Sequence, residues 1–155
     1  MSTLVEIKGD LFNSPLLTRK GCMIVHCVSA DYALGAGFAL ELEKRYHIRD
    51  YLKQIGSYNY PDCLVVGNII NMVTKGAYWT KPTYETFTAS IIMVREYCLE
   101  HQVSILVMPK IGCGLDKLSW KVCKEIIQKE LVDYNIDCAV YKLKQKKSYE
   151  GKWRI

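Results

Sequence analysis

Two nearly uninterrupted apolar runs constrain the fold of this chain more than any other feature. Residues 22–28 read CMIVHCV and residues 103–108 read VSILVM. A strand that is apolar along its whole length, rather than at alternate positions, is covered on both of its faces. Such strands are typical of a sheet that lies between two layers of helices, so the runs predict an α/β protein.

Other segments extend this sheet. Short β-like segments at residues 4–8 and 138–143 predict its first and last strands, and residues 64–74 predict a hairpin around Gly67 or one bent strand. Helical patterns separate most of the strands. Because parallel strands require crossover connections, the alternation predicts a mainly parallel sheet with helices on both faces.

The helices are predicted chiefly from apolar residues that recur at intervals of three and four. The clearest helix begins after Thr83, whose hydroxyl can cap it. Tyr46, Tyr84 and Tyr134 belong to the apolar sets that we expect to pack inward. The predicted helices span residues 37–46, 49–55, 84–98 and 120–134.

Composition indicates one domain in a reducing compartment. The chain has 155 residues, of which 50% are hydrophobic, enough for a single core. Its seven cysteines are dispersed without a CxxC pair, which favours buried thiols over disulfides or a metal site. No apolar targeting region opens the chain, and no apolar run approaches the ~20 residues that cross a bilayer. We therefore expect an intracellular, soluble protein without a membrane partner.

Basic charge is concentrated at the end of the sequence. The net charge of +5 and the pI of about 8.8 favour a polyanionic ligand. Much of the excess lies in residues 144–155, which we interpret as a tail after a domain of residues 1–143. The tail either binds nucleic acid through cations and aromatic rings or, the interpretation we favour, folds back on the domain. Its basic and aromatic residues are Lys144, Lys146, Lys147, Tyr149, Lys152, Trp153 and Arg154.

A glycine-rich loop follows the second apolar run, where residues 108–116 read MPKIGCGLD. Glycines at the start of a helical pattern are typical of a backbone nest for phosphate, and Asp116 stands next to it. A strand-to-helix turn with Cys113 packed beneath it explains the pattern equally well. Cys113 would act as a nucleophile only beside a base.

The three histidines do not supply that base, because none occurs in a recognisable partner motif. We expect His26 to be a hydrogen-bonded residue of a buried strand. His47 and His101 are expected at the surface, near helix ends. A cysteine–histidine hydrolase is therefore not indicated.

Three other strand ends carry candidate site residues. Residues 35–37, GAG before a helix, permit close approach of a ligand, as tight turns also do, and lack the third glycine of a dinucleotide fingerprint. Asp10 and the Leu11 N–H either bind an exocyclic amine and a ring nitrogen or form an ordinary capped turn. Lys75 ends another strand, and its amine either attacks an electrophilic carbon or simply reaches water.

Five sequence blocks connect these candidates. They are KGDLF at residues 8–12, HCVSADYALGAGFA at 26–39, VTK at 73–75, KPTYE at 81–85 and MPKIGCGLD at 108–116. In order and spacing the set resembles the macrodomain family, specifically its terminal ADP-ribose protein glycohydrolase branch, over residues 5–143. The resemblance implies a three-layer α/β/α fold with a mixed, mainly parallel central sheet.

The resemblance also implies an ADP-ribose site assembled from strand ends. The first strand end would hold the adenine, the loops after the second and fifth strands the distal ribose and diphosphate, and the end of the last strand the adenosine. The implied ligand-binding residues are Asp10, Leu11, Ser29, Gly35, Ala36, Gly37, Lys110, Ile111, Gly112, Cys113, Gly114, Leu115 and Leu143.

Two residues carry the chemistry that the resemblance implies. Lys75 would attack the anomeric carbon of the distal ribose, and Asp116 would take protons and orient the ribose hydroxyls. The expected protein is a monomeric, cytoplasmic enzyme, or a nuclear one if eukaryotic, that removes ADP-ribose from glutamate and aspartate carboxylates of ADP-ribosylated proteins. It would also deacetylate O-acetyl-ADP-ribose, without a metal or cofactor.

Several alternatives remain open at this point. The chain could instead remove ADP-ribose from DNA bases, for which the basic tail is suited, act as an ADP-ribose 1''-phosphate phosphatase, or read ADP-ribose without turnover. Lys81 lies close to Lys75 in sequence, so the choice of nucleophile is itself a prediction.

Overall fold

The computed structural model describes residues 2–113 and 115–142. It contains six strands and four α-helices in that part of the chain. The strands are β1 (Leu4–Lys8), β2 (Cys22–Ser29), β3 (Asp62–Val66), β4 (Ile69–Lys75), β5 (Ile105–Met108) and β6 (Asp137–Lys142). The helices are α1 (Gly37–Tyr46), α2 (Arg49–Ile55), α3 (Tyr84–His101) and α4 (Trp120–Glu130), with short 3₁₀ turns at Leu11–Asn13, Pro15–Thr18 and Val132–Tyr134.

All six strands form one sheet in the order β1-β6-β5-β2-β4-β3. Only β3 pairs antiparallel, through a hairpin in which Val66 faces Ile69 and Gly67 takes a φ of +58°. Of the two interpretations of residues 64–74, the hairpin is therefore confirmed. Since the other strands run parallel, their carboxyl ends share one edge of the sheet, where α/β proteins bind ligands.

Each face of the sheet packs against its own layer of helices. On one face, Ile70 and Met72 of β4 contact Phe87 and Ile91 of α3 in a core that also includes α4. The opposite face packs against α1 and α2 through a second core that includes Leu42, Leu52 and Ile24. Each such side chain contributes ~1.5–3 kcal/mol when fully buried. The predicted three-layer α/β/α architecture is confirmed.

Three tyrosines expected inside the protein lie at its surface. Tyr46, Tyr84 and Tyr134 are 46%, 39% and 44% exposed. Tyr46 is the last residue of α1, Tyr84 is the first of α3, and Tyr134 lies beyond the end of α4. The predictions were wrong because a helix buries a stripe along its middle, whereas residues at its ends have no neighbouring turn to continue that stripe.

The cysteines and histidines largely follow expectation. All seven thiols are free, with Cys22, Cys98, Cys123 and Cys138 buried and the other three partly buried. His47 and His101 are exposed, as predicted. No helix within residues 2–113 and 115–142 is long and apolar enough to cross a membrane. The predictions for Gly114, Leu143 and the tail 144–155 fall outside the described residues.

Candidate active site

A cleft of about 780 Å³ opens at the carboxyl edge of the parallel strands. Its walls come from the loops that follow β2, β4 and β5, so three segments distant in sequence converge on it. Ser29, Gly35, Ala36 and Gly37, which the resemblance implies as ligand-binding residues, line one wall. Lys110, Ile111, Gly112 and Leu115 line the opposite one.

Lys75 and Asp116 meet inside this cleft. The Lys75 Nζ lies 2.6 Å from Asp116 Oδ1, although the residues are 41 positions apart. Their side chains are 12% and 13% exposed, so the pair is largely shielded from water. The amine also donates to the Tyr78 carbonyl at 3.3 Å. A carboxylate at this distance can accept a proton from the amine, which is the arrangement that an activated lysine requires.

The backbone of β2 fixes the position of Lys75. A register shift between Val28 and Ser29 places Ser29 opposite Lys75, at the last pair of the β2–β4 ladder. The Ala30 N–H then donates to the Lys75 carbonyl at 2.8 Å. Bulges of this kind re-aim a side chain at a strand end, and here the register shift directly precedes Lys75, the last paired residue of β4.

Asp31 is a site residue that the sequence analysis missed. Its carboxylate accepts from the Ser29 hydroxyl at 2.5 Å, the Ala33 N–H at 3.2 Å and the Tyr78 N–H at 3.0 Å. Burial raises the pKa of Asp31, but these three donors outweigh it and hold that pKa below its usual range. Asp31 therefore joins the loop after β2 to the loop after β4, beside Lys75.

Arg49 was also missed, and it holds the glycine loop that follows β2. Its guanidinium donates twice to the Ala33 carbonyl, from Nε at 3.0 Å and Nη2 at 2.7 Å. The Glu43 carboxylate accepts from the Arg49 N–H at 2.7 Å and lies 3.8 Å from Nη1. A bidentate donor of this kind fixes the orientation of the loop as well as its position.

Two glycines permit close packing at the walls of the cleft. Gly112 has a φ of +82°, and a Cβ there would lie 3.0 Å from Cys123 Sγ and 3.1 Å from Phe87. Gly37 has a φ of +61°, and a Cβ there would lie 3.3 Å from the Leu115 side chain across the cleft. Larger residues would therefore strain the backbone and crowd both walls.

Cys113 turns away from the cleft that its neighbours line. Its thiol lies 3.5 Å from the Ile111 carbonyl, and burial raises its pKa. Cys113 therefore packs beneath the loop, as the turn interpretation predicts. The side chain is a poor nucleophile in this setting, because the thiol is the favoured form.

His26 lies in the floor of the cleft. Its Nε2 pairs with Asn71 Oδ1 at 2.5 Å, whereas Nδ1 has no partner among the described residues. Burial lowers the pKa of His26 to about 4, and the bond to Asn71 opposes that shift only in part. The expectation of a fully hydrogen-bonded histidine is therefore wrong at Nδ1. His26 is a neutral residue at physiological pH.

The predicted adenine-binding residues lie at the same edge of the sheet but do not line the cleft. Asp10 is exposed, and its Oδ1 accepts from the Phe12 N–H at 3.0 Å, which caps the turn that follows β1. Leu11 is 3% exposed and packs in the core. The Phe12 ring stacks on Phe38 of the cleft wall, with centroids 5.5 Å apart. Asp10 is thus linked to the cleft through Phe12.

The described residues contain no group of three or more histidine, cysteine, aspartate or glutamate side chains that is placed to hold a metal ion. The chemistry available in the cleft is that of the Asp116 carboxylate, of lysine amines, of which Lys75 pairs with that carboxylate, and of backbone N–H groups. Lys81 lines the cleft as well, but it is exposed and forms no ion pair within the described part of the chain. Lys75 is therefore the better placed of the two lysines.

Comparison with known proteins gives the family. No protein-family model matches the chain. The ADP-ribose glycohydrolase OARD1 of Bos taurus is 34% identical over 145 residues, which cover 92% of this chain and 93% of that protein. The macrodomain of Thermus aquaticus DarG has the same fold, with a TM-score of 0.77 at 18% identity over 92% of this chain and 99% of that one.

A third comparison is with Thermosipho africanus DarTG, solved in complex with ADP-ribose. It superposes with a TM-score of 0.73 at 16% identity over 93% of this chain and 42% of that chain. The structural likenesses establish the fold, and the identity to OARD1 extends over nearly the entire chain. The chain therefore belongs to the macrodomain family, in the branch that contains the ADP-ribose glycohydrolase OARD1.

Proposed function

We propose that this protein is an ADP-ribosyl hydrolase that binds ADP-ribose in the cleft and releases it from glutamate and aspartate carboxylates, with Lys75 as nucleophile. One observation carries the proposal: the shielded Lys75–Asp116 pair, 2.6 Å apart, in the cleft of a chain 34% identical to a named ADP-ribose glycohydrolase. O-acetyl-ADP-ribose also presents an ester at the distal ribose, so we propose it as a second substrate. The catalytic unit is residues 1–143, acting as a monomer.

In the first step, the amine of Lys75 attacks the anomeric carbon of the distal ribose. The new C–N bond forms as the bond to the ester oxygen breaks, and the acceptor leaves as a free carboxylate. The proton that the amine loses passes to the Asp116 carboxylate, which lies 2.6 Å away. The product of this step is a lysyl adduct of ADP-ribose.

In the second step, water resolves the adduct. The oxygen of water adds to the anomeric carbon, the C–N bond breaks, and ADP-ribose leaves with the hydroxyl that water supplied. The electrons of the broken C–N bond return to the Lys75 nitrogen, which takes back the proton held by Asp116, and the second proton of the water is released to solvent. One water molecule is consumed overall, and the ion pair is restored.

The glycine loops position the substrate for this attack. The backbone of residues 110–112 and of Leu115 provides N–H groups for the diphosphate, and residues 35–37 allow close approach from the other wall. Asp31 holds the loop that carries Tyr78, whose carbonyl accepts from the Lys75 amine. Fixing both reactants in this way supplies the orientation that raises the rate.

Substitution of Lys75 by arginine tests the proposal. Lys75→Arg keeps a cation beside Asp116 but replaces the nucleophile with a guanidinium that stays protonated. We expect kcat on a peptide with one glutamate-linked ADP-ribose to fall on the order of 10³-fold or more, while the Kd for ADP-ribose, measured by calorimetry, changes only a few-fold. Lys81→Arg is the matched control.

Three results would contradict the proposal in different ways. Turnover by Lys75→Arg near that of the unmodified protein would eliminate the lysine mechanism. Binding of ADP-ribose without release from the peptide would indicate a reader. Release only from an ADP-ribosylated oligonucleotide, or of phosphate only from ADP-ribose 1''-phosphate, would assign the cleft to one of the other reactions.

A further inference from the structure

A second, smaller pocket of about 270 Å³ adjoins the cleft near Lys75. It lies between the end of β4 and the beginning of α3, and we name it the α3 pocket. Thr80 and Lys81 belong to both the cleft and this pocket, so the loop after β4 forms the wall between them. The residues that matter for the α3 pocket are Tyr60, Thr74, Gly76, Lys81, Thr83 and Thr86.

A buried hydroxyl without a partner lines the α3 pocket. Thr74 is 1% exposed, and its Oγ1 has no hydrogen-bond partner among residues 2–113 and 115–142. Thr74 lines the α3 pocket together with Thr83 and Thr86 at the beginning of α3, so it lies on the side of the sheet that faces α3. An unpartnered buried hydroxyl costs about 1–3 kcal/mol, a cost that a ligand accepting its proton would recover.

Two positive features also converge on the α3 pocket. The first is the N-terminus of α3, an 18-residue helix with Thr83 as its cap, where the helix dipole favours an anion. The second is the Lys81 ammonium, which forms no ion pair with any described residue. The carboxylate of Glu85 occurs in the first turn of α3, but it is exposed and does not line the pocket.

These groups match one negative charge rather than many. Lys81 is the only cation among the described residues that line the α3 pocket. A nucleic-acid backbone carries a charge at every nucleotide and is bound by several cations in a row. A single carboxylate needs one cation and a few donors, and the pocket volume suits a side chain rather than a nucleotide.

We propose that the α3 pocket binds the carboxylate of an acidic side chain that flanks the ADP-ribosylated residue on the acceptor protein. Its position supports this, because Thr80 and Lys81 line both the cleft and the α3 pocket, so the pocket adjoins the space into which the acceptor leaves. The pocket would select acceptors with acidic neighbours. The inference rests on the proposed hydrolysis of carboxylate-linked ADP-ribose.

Two peptide substrates test it. Both carry one glutamate-linked ADP-ribose, and they differ only in having glutamates or glutamines at the flanking positions. We expect the unmodified protein to have a KM about tenfold lower for the acidic peptide, the size of one or two hydrogen bonds to a charge. We expect Thr74→Val and Lys81→Met each to reduce this KM ratio to about twofold or less.

For each variant, the neutral peptide serves as the reference for the acidic one. A general loss of rate therefore leaves the ratio of the two KM values unaffected. Thr74→Val should fold normally with an equal or higher Tm, because it removes a hydroxyl that has no partner among the described residues. Lys81→Met changes an exposed residue and provides a second variant if the first does not fold. Lys53→Met, an exposed lysine of α2, is the matched control and should keep the tenfold ratio.

The outcomes separate this inference from the proposed function. If both peptides are hydrolysed with equal KM, the inference fails and the proposed function stands. If neither peptide releases ADP-ribose, the proposed function fails. A preference that persists in both variants would place the anion elsewhere. If both variants instead slow release from an ADP-ribosylated DNA oligonucleotide without altering the peptide ratio, the pocket serves a nucleic acid and the inference is overturned.

Discussion

Inside the cleft, Lys75 and Asp116 come from positions 41 residues apart and meet in an ion pair that is largely shielded from water. Outside the cleft, farther along the same edge of the sheet, the exposed Asp10 accepts a hydrogen bond from an N–H only two residues away. The first arrangement exists only when β4 and β5 stand in the same sheet. The second forms from a short stretch of chain. The comparison shows that the proposed catalytic pair depends on tertiary structure, whereas the predicted adenine contact depends on a local turn.

The largest effect, a loss of kcat, is expected when the Lys75–Asp116 pair is broken. Asp116→Asn keeps the side-chain volume but removes the charge that accepts a proton from Lys75. We expect kcat on the glutamate-linked peptide to fall about 10²–10⁴-fold, as for loss of a general base. Steady-state kinetics measures the effect, and Asp50→Asn, in the first turn of α2, is the control. If Asp116→Asn retains more than about a tenth of kcat, the carboxylate is not the proton acceptor.

The difference between the two arrangements also explains what the sequence could predict. The apolar runs of β2 and β5 identify buried strands, and the alternation with helices predicts the parallel order. No local pattern connects Lys75 to Asp116, so that link came only from the resemblance of five blocks taken together. Their proximity is a consequence of strand order.

Asp31 and Arg49 show why other site residues were missed. Asp31 is held mainly by backbone N–H groups, including that of Tyr78, and backbone donors leave no signature in a sequence. Arg49 donates to the Ala33 carbonyl, which lies 16 residues earlier in the chain. This acceptor also belongs to the backbone, so no sequence motif marks it. The glycine loops were found because they need glycine itself, as the positive φ of Gly112 illustrates.

A smaller effect, on the pH dependence of the free energy of unfolding, is expected from His26, which lies in the cleft floor. Burial lowers its pKa in the folded state to about 4, below the ordinary 6.5 of an unfolded chain. As the pH falls from 6.5 to about 4, the unfolded state therefore binds a proton first, and the protein loses about 3 kcal/mol of stability. Above pH 6.5 this contribution is fully present.

Chemical unfolding at a series of pH values measures this loss. His26→Gln removes the titrating ring, so its unfolding free energy should fall less between pH 7 and pH 4. Asp31, whose pKa is lowered, adds acid sensitivity to both proteins, and the difference between them isolates His26. Parallel curves for the two proteins would show that the cleft floor accepts a charged histidine.

The smallest effect, a change in the Kd for ADP-ribose, is expected from substitution of Asp10, whose hydrogen bond is local. Asp10 uses Oδ1 to cap the turn through the Phe12 N–H, which leaves Oδ2 for a ligand. Asp10→Asn keeps the cap but turns the second position into a donor, which repels an adenine amine. We expect the Kd for ADP-ribose to rise about tenfold with no loss of stability. Asp10→Ala should lose the cap as well, at a cost of about 1 kcal/mol.

Calorimetric titration with ADP-ribose and thermal unfolding distinguish the two roles of Asp10. An unchanged Kd in Asp10→Asn, together with lower stability in Asp10→Ala alone, would leave the residue with capping only. The contrast between Asp10 and the Lys75–Asp116 pair would then be sharper, because only residues that line the cleft would bind ADP-ribose.

Trapping of the covalent adduct tests the central claim most directly. The protein is incubated with the glutamate-linked ADP-ribosyl peptide and a hydride donor, which reduces the ring-opened imine form of the lysyl adduct to a stable amine. Its peptides are then mapped by mass spectrometry. We predict an ADP-ribose mark on Lys75 in the unmodified protein and none in Lys75→Arg. A mark on Lys81, or release of ADP-ribose with no mark on any lysine, would contradict the account.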